Sequence, residues 1–174
     1  MIRLRTTSAG ATVEAGEALG RELRAGDVVL LAGGLGAGKT TFVKGLARGL
    51  DVEEVVTSPA FVLVRSYEGR LPLVHLDVYR LDRLQEVVDL GVAELADDGG
   101  VMVVEWGDVV APALPAEVLE VRLSAGGEED ERHLALTWTD SGSPAGSRWR
   151  ARAERLGLAL EAWSEPARGA GSPC

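Results

Sequence analysis

The sequence has few of the features that mark secreted, membrane or nucleic-acid-binding proteins. Its 174 residues contain a single cysteine, Cys174, so no internal disulfide can form. No apolar run approaches the roughly 20 residues that a membrane-spanning helix needs, and Met1–Arg5 lacks the apolar core of a signal peptide. The net charge of −9 argues against broad binding of nucleic acid, although it leaves room for a local basic strip. We therefore expect a soluble cytoplasmic protein with one proper core.

The stretch with the clearest chemistry is Gly33–Thr40, with the sequence GGLGAGKT. It matches the P-loop pattern, in which Gly-Lys-Ser/Thr follows a glycine and four variable residues. The glycines allow the backbone to bend until several N–H groups converge on one anion. Lys39 would supply a positive charge to the β- and γ-phosphates, and the Thr40 hydroxyl is placed to bind Mg²⁺. The residues expected to contact the nucleotide here are Gly34, Leu35, Gly36, Ala37, Gly38, Lys39, Thr40 and Thr41.

The flanks of this stretch have the strand and helix that a P-loop requires. Val28–Ala32 is continuously apolar, as in a parallel strand that is buried on both faces. Thr41–Leu50 repeats apolar residues at helical spacing, and the N-terminal dipole of such a helix favours the same anion. A glycine-rich turn without a ligand is the alternative, but the Lys39-Thr40 pair and both flanks favour the P-loop. The pattern predicts a site for a nucleoside triphosphate.

Two acidic residues are expected near the phosphates because each follows a predicted strand. Glu105 follows the apolar run Val101–Val104, which is the Walker-B arrangement and brings a carboxylate close to Thr40 and Mg²⁺. Glu105 would hold the metal through water or polarise the attacking water, and a solvated glutamate is the alternative. Asp77 leaves another strand and would bind the metal or orient a water. His75, on the same face, is more often a structural histidine in such a position.

Two further positions are open to both a structural and a functional interpretation. Thr57-Ser58-Pro59 is predicted to be a loop, because Pro59 favours an extended Ser58. It is either an ordinary loop or a switch that becomes ordered around the γ-phosphate and the metal. Trp106 directly follows Glu105 and is either a core residue or a contact for a partner protein.

Two missing signatures constrain the base and the reaction. The sequence has no Asn-Lys-x-Asp, which reads guanine in GTPases, so adenine is the expected base. It also lacks a long arginine-rich insertion of the kind that closes over the phosphates in small nucleotide kinases.

The order of apolar patterns predicts an α/β fold: a three-layer P-loop NTPase-like sandwich with a mainly parallel central sheet and added antiparallel strands. We expect a P-loop ATPase domain at residues 1–140. Residues 141–174 would form a C-terminal extension, with a short helix and then a disordered tail from Ser164. The other predicted elements are an edge strand at Ile2–Thr6, helices at Thr12–Leu23, Leu84–Leu95 and Trp149–Trp163, and hairpins within 61–76 and 117–138.

Taken in order, these motifs resemble the TsaE (YjeE) family, small bacterial P-loop ATPases needed to make N6-threonylcarbamoyladenosine in tRNA. The resemblance covers about Thr6 to Trp138. It rests on GGLGAGKTTF at 33–42, TSPAF at 57–61, HLDVYRL at 75–81 and the pair Glu105-Trp106. A P-loop alone is common, whereas this ordered set at these spacings is highly specific.

The resemblance implies roles for the residues that match the motifs of the family. Lys39 and Thr40 would bind the phosphates and Mg²⁺. Glu105 would be a second metal ligand, and Asp77 would assist at the γ-phosphate. Lys39, Asp77 and Glu105 are therefore the candidate catalytic residues, and Thr40 and Glu105 the candidate metal ligands.

The resemblance also implies a switch, a partner contact and a base site. Ser58 and Pro59 would belong to the switch loop, and Trp106 would matter for activity. Thr12 and Arg132 match positions near the adenine site of the family.

Members of this family are weak ATPases alone and act with the heterodimer of TsaD and TsaB, which ATP hydrolysis resets between modification cycles. The resemblance thus implies ATP and Mg²⁺ as cofactors and the TsaD–TsaB pair as partner. It implies tRNA contact only through the complex, and no membrane. The transfer of threonylcarbamoyl belongs to the partner.

The sequence departs from the family at two positions. Gly34 stands where the family usually has an acidic residue, and Ala60 where it usually has threonine. The first change removes a possible partner for a basic residue or water near the phosphates, and the second removes a hydroxyl from the switch loop. Neither change affects Lys39, Thr40 or Glu105, so we expect nucleotide binding to survive.

Two other functions are compatible with a P-loop. In a small-molecule kinase, Asp77 would be the base for an acceptor hydroxyl, but the sequence signals neither an acceptor pocket nor a lid. A regulatory module would bind the nucleotide without hydrolysing it, and substitution of Glu105 would then leave ATP turnover unchanged.

Overall fold

The structure is a computed structural model that describes residues 1–59, 63–79, 99–106, 117–139 and 147–165. Its strands are β1 (Ile2–Thr6), β2 (Val28–Ala32), β3 (Val64–Tyr67), β4 (Leu73–Asp77), β5 (Val101–Glu105), β6 (Leu119–Ala125) and β7 (Arg132–Trp138). Its helices are α1 (Ala9–Glu22), α2 (Lys39–Gly49), α3 (Arg148–Ala151) and α4 (Ala153–Ala159), with a 3₁₀ turn at Glu161–Trp163.

The strands form one mixed sheet in the order β1-β7-β6-β2-β5-β4-β3. The central strands β6, β2, β5 and β4 are parallel, whereas β1, β7 and β3 run antiparallel to their neighbours. The predicted α/β class, the edge strand at Ile2–Thr6 and both hairpins are confirmed. Strand β3 begins only at Val64, because Leu63 has a φ of 68° that no extended strand allows.

Both faces of β2, β4 and β5 are buried, as the continuous apolar run at Val28–Ala32 predicts for β2. Leu31 and Val103 lie in the core cluster that includes α1 and α2, through residues such as Phe42. Leu30 and Val104 lie in a second cluster on the opposite face. Since β2 is held between β5 and β6, the loop that leaves its carboxyl end has a rigid base.

Helices α1 and α2 pack backbone against backbone. A Cβ atom added at Gly45 would lie 2.0 Å from the Val13 carbonyl oxygen, and one added at Gly16 would lie 2.4 Å from the Phe42 oxygen. Gly20 and Gly49 extend the same contact. A Cβ atom added at Gly20 would lie 2.4 Å, and one added at Gly49 2.3 Å, from a carbonyl oxygen of the facing helix. Only glycine permits this close approach. The contact holds α2, the helix that follows the P-loop, against α1.

The C-terminal segment differs from the prediction of one helix at Trp149–Trp163. The helix is interrupted at Arg152, whose guanidinium makes two hydrogen bonds to the buried carboxylate of Asp27, at 2.9 and 2.8 Å. Ser164 and Glu165, which we expected in a disordered tail, instead pair with β1. Ser164 forms a bridge with Leu4, and the Glu165 amide donates to a β1 carbonyl.

Some predictions fall on residues outside the described part of the chain. These are the helix at Leu84–Leu95, the strand residues Phe61 and Val62, Ala60, and the tail beyond residue 165. The domain boundary at residue 140 stays a prediction. Within the described ranges, no helix is long and apolar enough to cross a membrane.

Candidate functional site

The P-loop connects the carboxyl end of β2 to the first turn of α2, as predicted. Gly33 has a φ of 143°, and a Cβ there would lie 2.3 Å from the Leu123 carbonyl oxygen, so this turn requires glycine. Gly38 caps α2 in the left-handed region and offers no side-chain hydrogen bond to the helix. The first-turn N–H groups of α2, which lack intrahelical acceptors, are therefore directed at the loop.

A cavity of about 410 Å³ lies between the P-loop and the ends of β4 and β5. This volume is in the range of small-ligand sites. Its lining unites P-loop residues with both predicted acids, and it consists of Leu35, Gly36, Ala37, Gly38, Lys39, Thr40, Thr41, Ser58, Asp77, Tyr79, Glu105 and Trp106. Of these, Tyr79 is the residue that the sequence motifs did not predict for the site.

Thr40 and Glu105 meet in this cavity from different elements. The Thr40 hydroxyl lies 2.9 Å from Oε1 and 3.1 Å from Oε2 of Glu105, which is only 2% exposed. The register places Asp77 directly beside Glu105, at the ends of adjacent parallel strands. Hydroxyl and carboxylate oxygens are ligands that Mg²⁺ prefers, and Mg²⁺ usually takes one or two carboxylates, waters and phosphate oxygens. The residues present therefore fit the predicted metal.

The described residues contain no cluster of three or more His, Cys, Asp or Glu side chains arranged to hold a metal ion. A cation at Thr40 and Glu105 would therefore depend on phosphate and water oxygens for its remaining ligands. This dependence is typical of a metal that arrives with a nucleotide.

Asp77 connects the end of β4 to the predicted switch loop. Its Oδ2 accepts a hydrogen bond of 2.8 Å from the Ser58 hydroxyl, and its Oδ1 accepts one of 3.1 Å from the Tyr79 amide. Pro59 is buried beside Ser58 but does not line the cavity. Among the described residues of this loop, Ser58 is the one that lines the cavity.

Lys39 is surrounded by acceptors from its own loop and by an aromatic ring. Its ammonium donates to the carbonyls of Gly33 and Gly34, each at 2.9 Å, and lies 3.6 Å from the ring centroid of Trp106. The Tyr79 ring lies 4.6 Å from that of Trp106. Trp106 has a φ of 63°, a conformation that non-glycine residues rarely adopt and that clusters at functional sites.

The position of Tyr79 beside the cavity, but not its contact with Trp106, could have been anticipated from the sequence. The alternation along residues 75–79 places Tyr79 on the same face as Asp77, although no motif assigns Tyr79 to the site. Its pairing with Trp106 depends on the adjacency of β4 and β5, which no local pattern reveals.

The two residues predicted near the base lie in different surroundings. Arg132 lines a small cavity of about 30 Å³ with Ala9, Gly38 and Thr41, beside the P-loop. Thr12 lines neither cavity. It is 1% exposed, and its hydroxyl lies 2.7 Å from the Thr6 hydroxyl and donates to the carbonyl of Ser8, the N-cap of α1. The roles of both residues at the base stay predictions.

Three comparisons with known proteins give one result. The family model for "Threonylcarbamoyl adenosine biosynthesis protein TsaE" matches residues 6–134. The chain is 48% identical over 122 residues to the tRNA threonylcarbamoyladenosine biosynthesis protein TsaE of Treponema pallidum, which covers 70% of this chain and 90% of that protein. It is 45% identical over 113 residues to the Bacillus subtilis protein of the same name, and the match covers 64% of this chain and 70% of that protein. The crystal structure of Bacillus subtilis YdiB superimposes with a TM-score of 0.74 at 33% identity, covering 91% of this chain and 97% of that one.

Proposed function

This chain belongs to the TsaE family, and from that premise we propose that it binds and hydrolyses ATP as an accessory protein of the machinery that makes N6-threonylcarbamoyladenosine in tRNA. The observation that carries the proposal is the meeting of Lys39, Thr40 and Glu105 in one cavity at the end of β2. Phosphoryl transfer from ATP requires a cation that binds the phosphates and oxygen groups that hold a metal ion. Lys39 is such a cation, and Thr40 and Glu105 are such oxygen groups.

The P-loop and the first turn of α2 would hold the phosphates of ATP. Their N–H groups form an anion site, and Lys39 would exchange its two carbonyl contacts for β- and γ-phosphate oxygens. Thr40 and Glu105 would hold Mg²⁺, which when bound neutralises negative charge on the phosphates. Thr40 would bind the metal through a lone pair of its oxygen, which leaves its O–H to donate to Glu105.

Two carboxylates are available to position the attacking water. Glu105 and Asp77 are neighbours in the strand register, and both are almost fully buried. Asp77 also accepts a hydrogen bond from the Ser58 hydroxyl. A movement of Asp77 on loss of the γ-phosphate would therefore change the position of the predicted switch loop. We infer that this loop is the switch through which the partner senses the nucleotide.

The proposed partner is the TsaD–TsaB pair. Leu35 and Tyr79 line the cavity and are 86% and 54% exposed, so apolar surface surrounds the mouth of the site. Apolar and aromatic residues of this kind favour a protein contact. The net charge of −9 supports an indirect relation to tRNA, through the complex. Such a role implies a cytoplasmic location.

The fate of the γ-phosphate of ATP tests this proposal. The purified chain is incubated with Mg²⁺ and γ-labelled ATP, alone and with the TsaD–TsaB pair, beside Glu105→Ala. We expect label in inorganic phosphate, faster release with the pair, and a loss of about 100-fold or more in Glu105→Ala, since positioned acid–base groups contribute about 10²–10⁴-fold. Glu129→Ala, an exposed glutamate in the β6–β7 turn, is the matched control and should behave as the native chain.

Two results would contradict the proposal. Label transferred to an added small-molecule acceptor, with no response to the pair, would indicate the alternative, a P-loop small-molecule kinase. Phosphate release that does not exceed background in either the native chain or Glu105→Ala would indicate a regulatory module that only binds the nucleotide.

A further inference from the structure

His75 contacts the carboxylate that the proposed reaction depends on. Its side chain is 0% exposed, and Nε2 lies 3.0 Å from Oε1 of Glu105. A carboxylate oxygen acts as an acceptor, so we assign the donor role in this contact to Nε2. In the described part of the chain, Nδ1 of His75 is buried and has no hydrogen-bond partner.

We propose that His75 is a positioning residue that holds Oε1 of Glu105, so that Oε2 is the oxygen presented to the metal and the attacking water. This inference rests on the proposed function. It assigns different tasks to the two carboxylate oxygens and gives a role to a histidine for which the sequence favours a structural one.

The two oxygens of Glu105 have different surroundings. Oε1 accepts from both His75 and Thr40, whereas Oε2 accepts from Thr40 at 3.1 Å. Thr40 would bind Mg²⁺ through a lone pair of its oxygen and keep its proton for the carboxylate, while the hydrogen bond from His75 stays on Oε1. Oε2 has no hydrogen bond from His75, so it is the oxygen left to face the metal while the carboxylate keeps its orientation. Partners that orient a metal-binding carboxylate in this way commonly change affinity or activity by 10–100-fold when they are removed.

Packing alone does not account for a histidine at this position. Its strand neighbours Leu73, Val74 and Leu76 are apolar and buried, and the strand is buried along its whole length. An apolar side chain would fill the space without burying an unpartnered Nδ1. The hydrogen bond to Glu105 is the feature that only a donor at the Nε2 position provides.

Two substitutions of similar polarity separate positioning from packing. His75→Gln can place an amide N–H near the native Nε2, whereas His75→Asn is shorter and places its amide near the native Nδ1. We expect His75→Asn to lower kcat by about 10–100-fold and to weaken the enhancement of ATP binding by Mg²⁺, while ATP binding without Mg²⁺ is unchanged. His75→Gln should recover most of the lost kcat and most of the lost enhancement of ATP binding by Mg²⁺. Thermal unfolding is recorded for each variant.

A second readout does not need turnover. Long-range ¹H–¹⁵N spectra of the histidine rings report which nitrogen carries the proton, and His75→Gln identifies the His75 signals among the two histidines of the chain. We expect the Nε2–H form. The Nδ1–H form, or equal loss of kcat and of Mg²⁺ enhancement in both variants, would overturn the inference. A native chain that hydrolyses no ATP would instead contradict the proposed function, while the ring spectra and the binding data would still decide the role of His75.

Discussion

The ammonium group of Lys39 has strong contacts within its own loop. Two carbonyl oxygens and the Trp106 ring surround it, and ATP phosphates would have to replace them. The gain in binding free energy from Lys39 is therefore the difference between its phosphate contacts and these loop contacts. Trp106 can thus influence nucleotide affinity through the lysine, beside any contact with a partner.

Arg5 and Glu131 form an ion pair with a predictable dependence on pH. The hydrogen bond from Arg5 Nε, at 2.7 Å, holds the pKa of Glu131 below its ordinary value of 4.5, against the opposing effect of burial. A lowered folded-state pKa means that the pair contributes its full stability above the unfolded pKa and loses it as the pH falls through the folded value. We expect the difference in unfolding free energy between the native chain and Glu131→Gln to be larger at neutral pH than at acid pH and to shrink below about 4.5.

Urea unfolding at a series of pH values measures this difference. Glu129→Gln, at an exposed position in the same turn, is the control and should show little difference at any pH. A gap between native and Glu131→Gln that grows toward acid pH would contradict the assignment of the lowered pKa.

At the residue scale, the sequence predicts the groups that a motif defines. Lys39, Thr40 and Glu105 come together as expected, because their chemistry is tied to fixed positions in a loop and at a strand end. The contacts of His75 and Tyr79 were not predictable, since they depend on how β4 and β5 are aligned in the sheet.

The contact between α1 and α2 is the element-scale feature that holds the P-loop helix in place. Gly45→Ala would put a methyl group 2.0 Å from the Val13 carbonyl oxygen and force the helices apart. We expect a loss of about 1–3 kcal/mol in unfolding free energy, because overpacking costs this much and exceeds the gain in helix propensity. Chemical denaturation measures the change.

Gly157→Ala in α4 is the matched control for this prediction. Nothing lies within 4 Å of a Cβ at Gly157, so alanine there should stabilise the chain by up to about 1 kcal/mol. If Gly45→Ala were as stable as Gly157→Ala, the close helix contact would be contradicted.

At the element scale, local patterns predict most strands and helices but not their interruptions. The apolar spacing of Leu156, Leu160 and Trp163 is helical, yet the segment is divided at Arg152. The residue at the break hydrogen-bonds to Asp27, 125 residues away. The amphipathic pattern contains no information about such a distant partner.

At the scale of the whole molecule, the C-terminal segment is connected to the sheet through Asp27, immediately before β2. Arg152 and Asp27 are 7% and 1% exposed and make two hydrogen bonds, while Trp149 packs into the main core. Arg152→Met would leave Asp27 buried without its main partner, which costs about 3–5 kcal/mol. We expect a loss of that size, partly recovered when Asp27→Asn is added, as measured by thermal or chemical unfolding.

Arg155→Met is the control for this link, because Arg155 is largely exposed in its ion pair with Glu22 and should contribute less than about 1 kcal/mol. At temperatures well below unfolding, ATP turnover of Arg152→Met should equal that of the native chain, since Asp27 and the P-loop lie at opposite ends of β2. Equal stability of the two arginine variants would contradict a structural role for the C-terminal segment.

The central claim is that the cavity beside the P-loop binds ATP through Lys39, and a calorimetric titration with ATP and Mg²⁺ tests it most directly. The chain has two lysines, so Lys39→Met can be compared with Lys44→Met, an exposed residue of the same helix. We predict saturable binding to one site in the native chain and in Lys44→Met. Lys39→Met should bind at least about tenfold more weakly, since hydrogen bonds from a charged group contribute about 1.5–3 kcal/mol. Equal affinity in all three proteins, or no binding to the native chain, would contradict this claim.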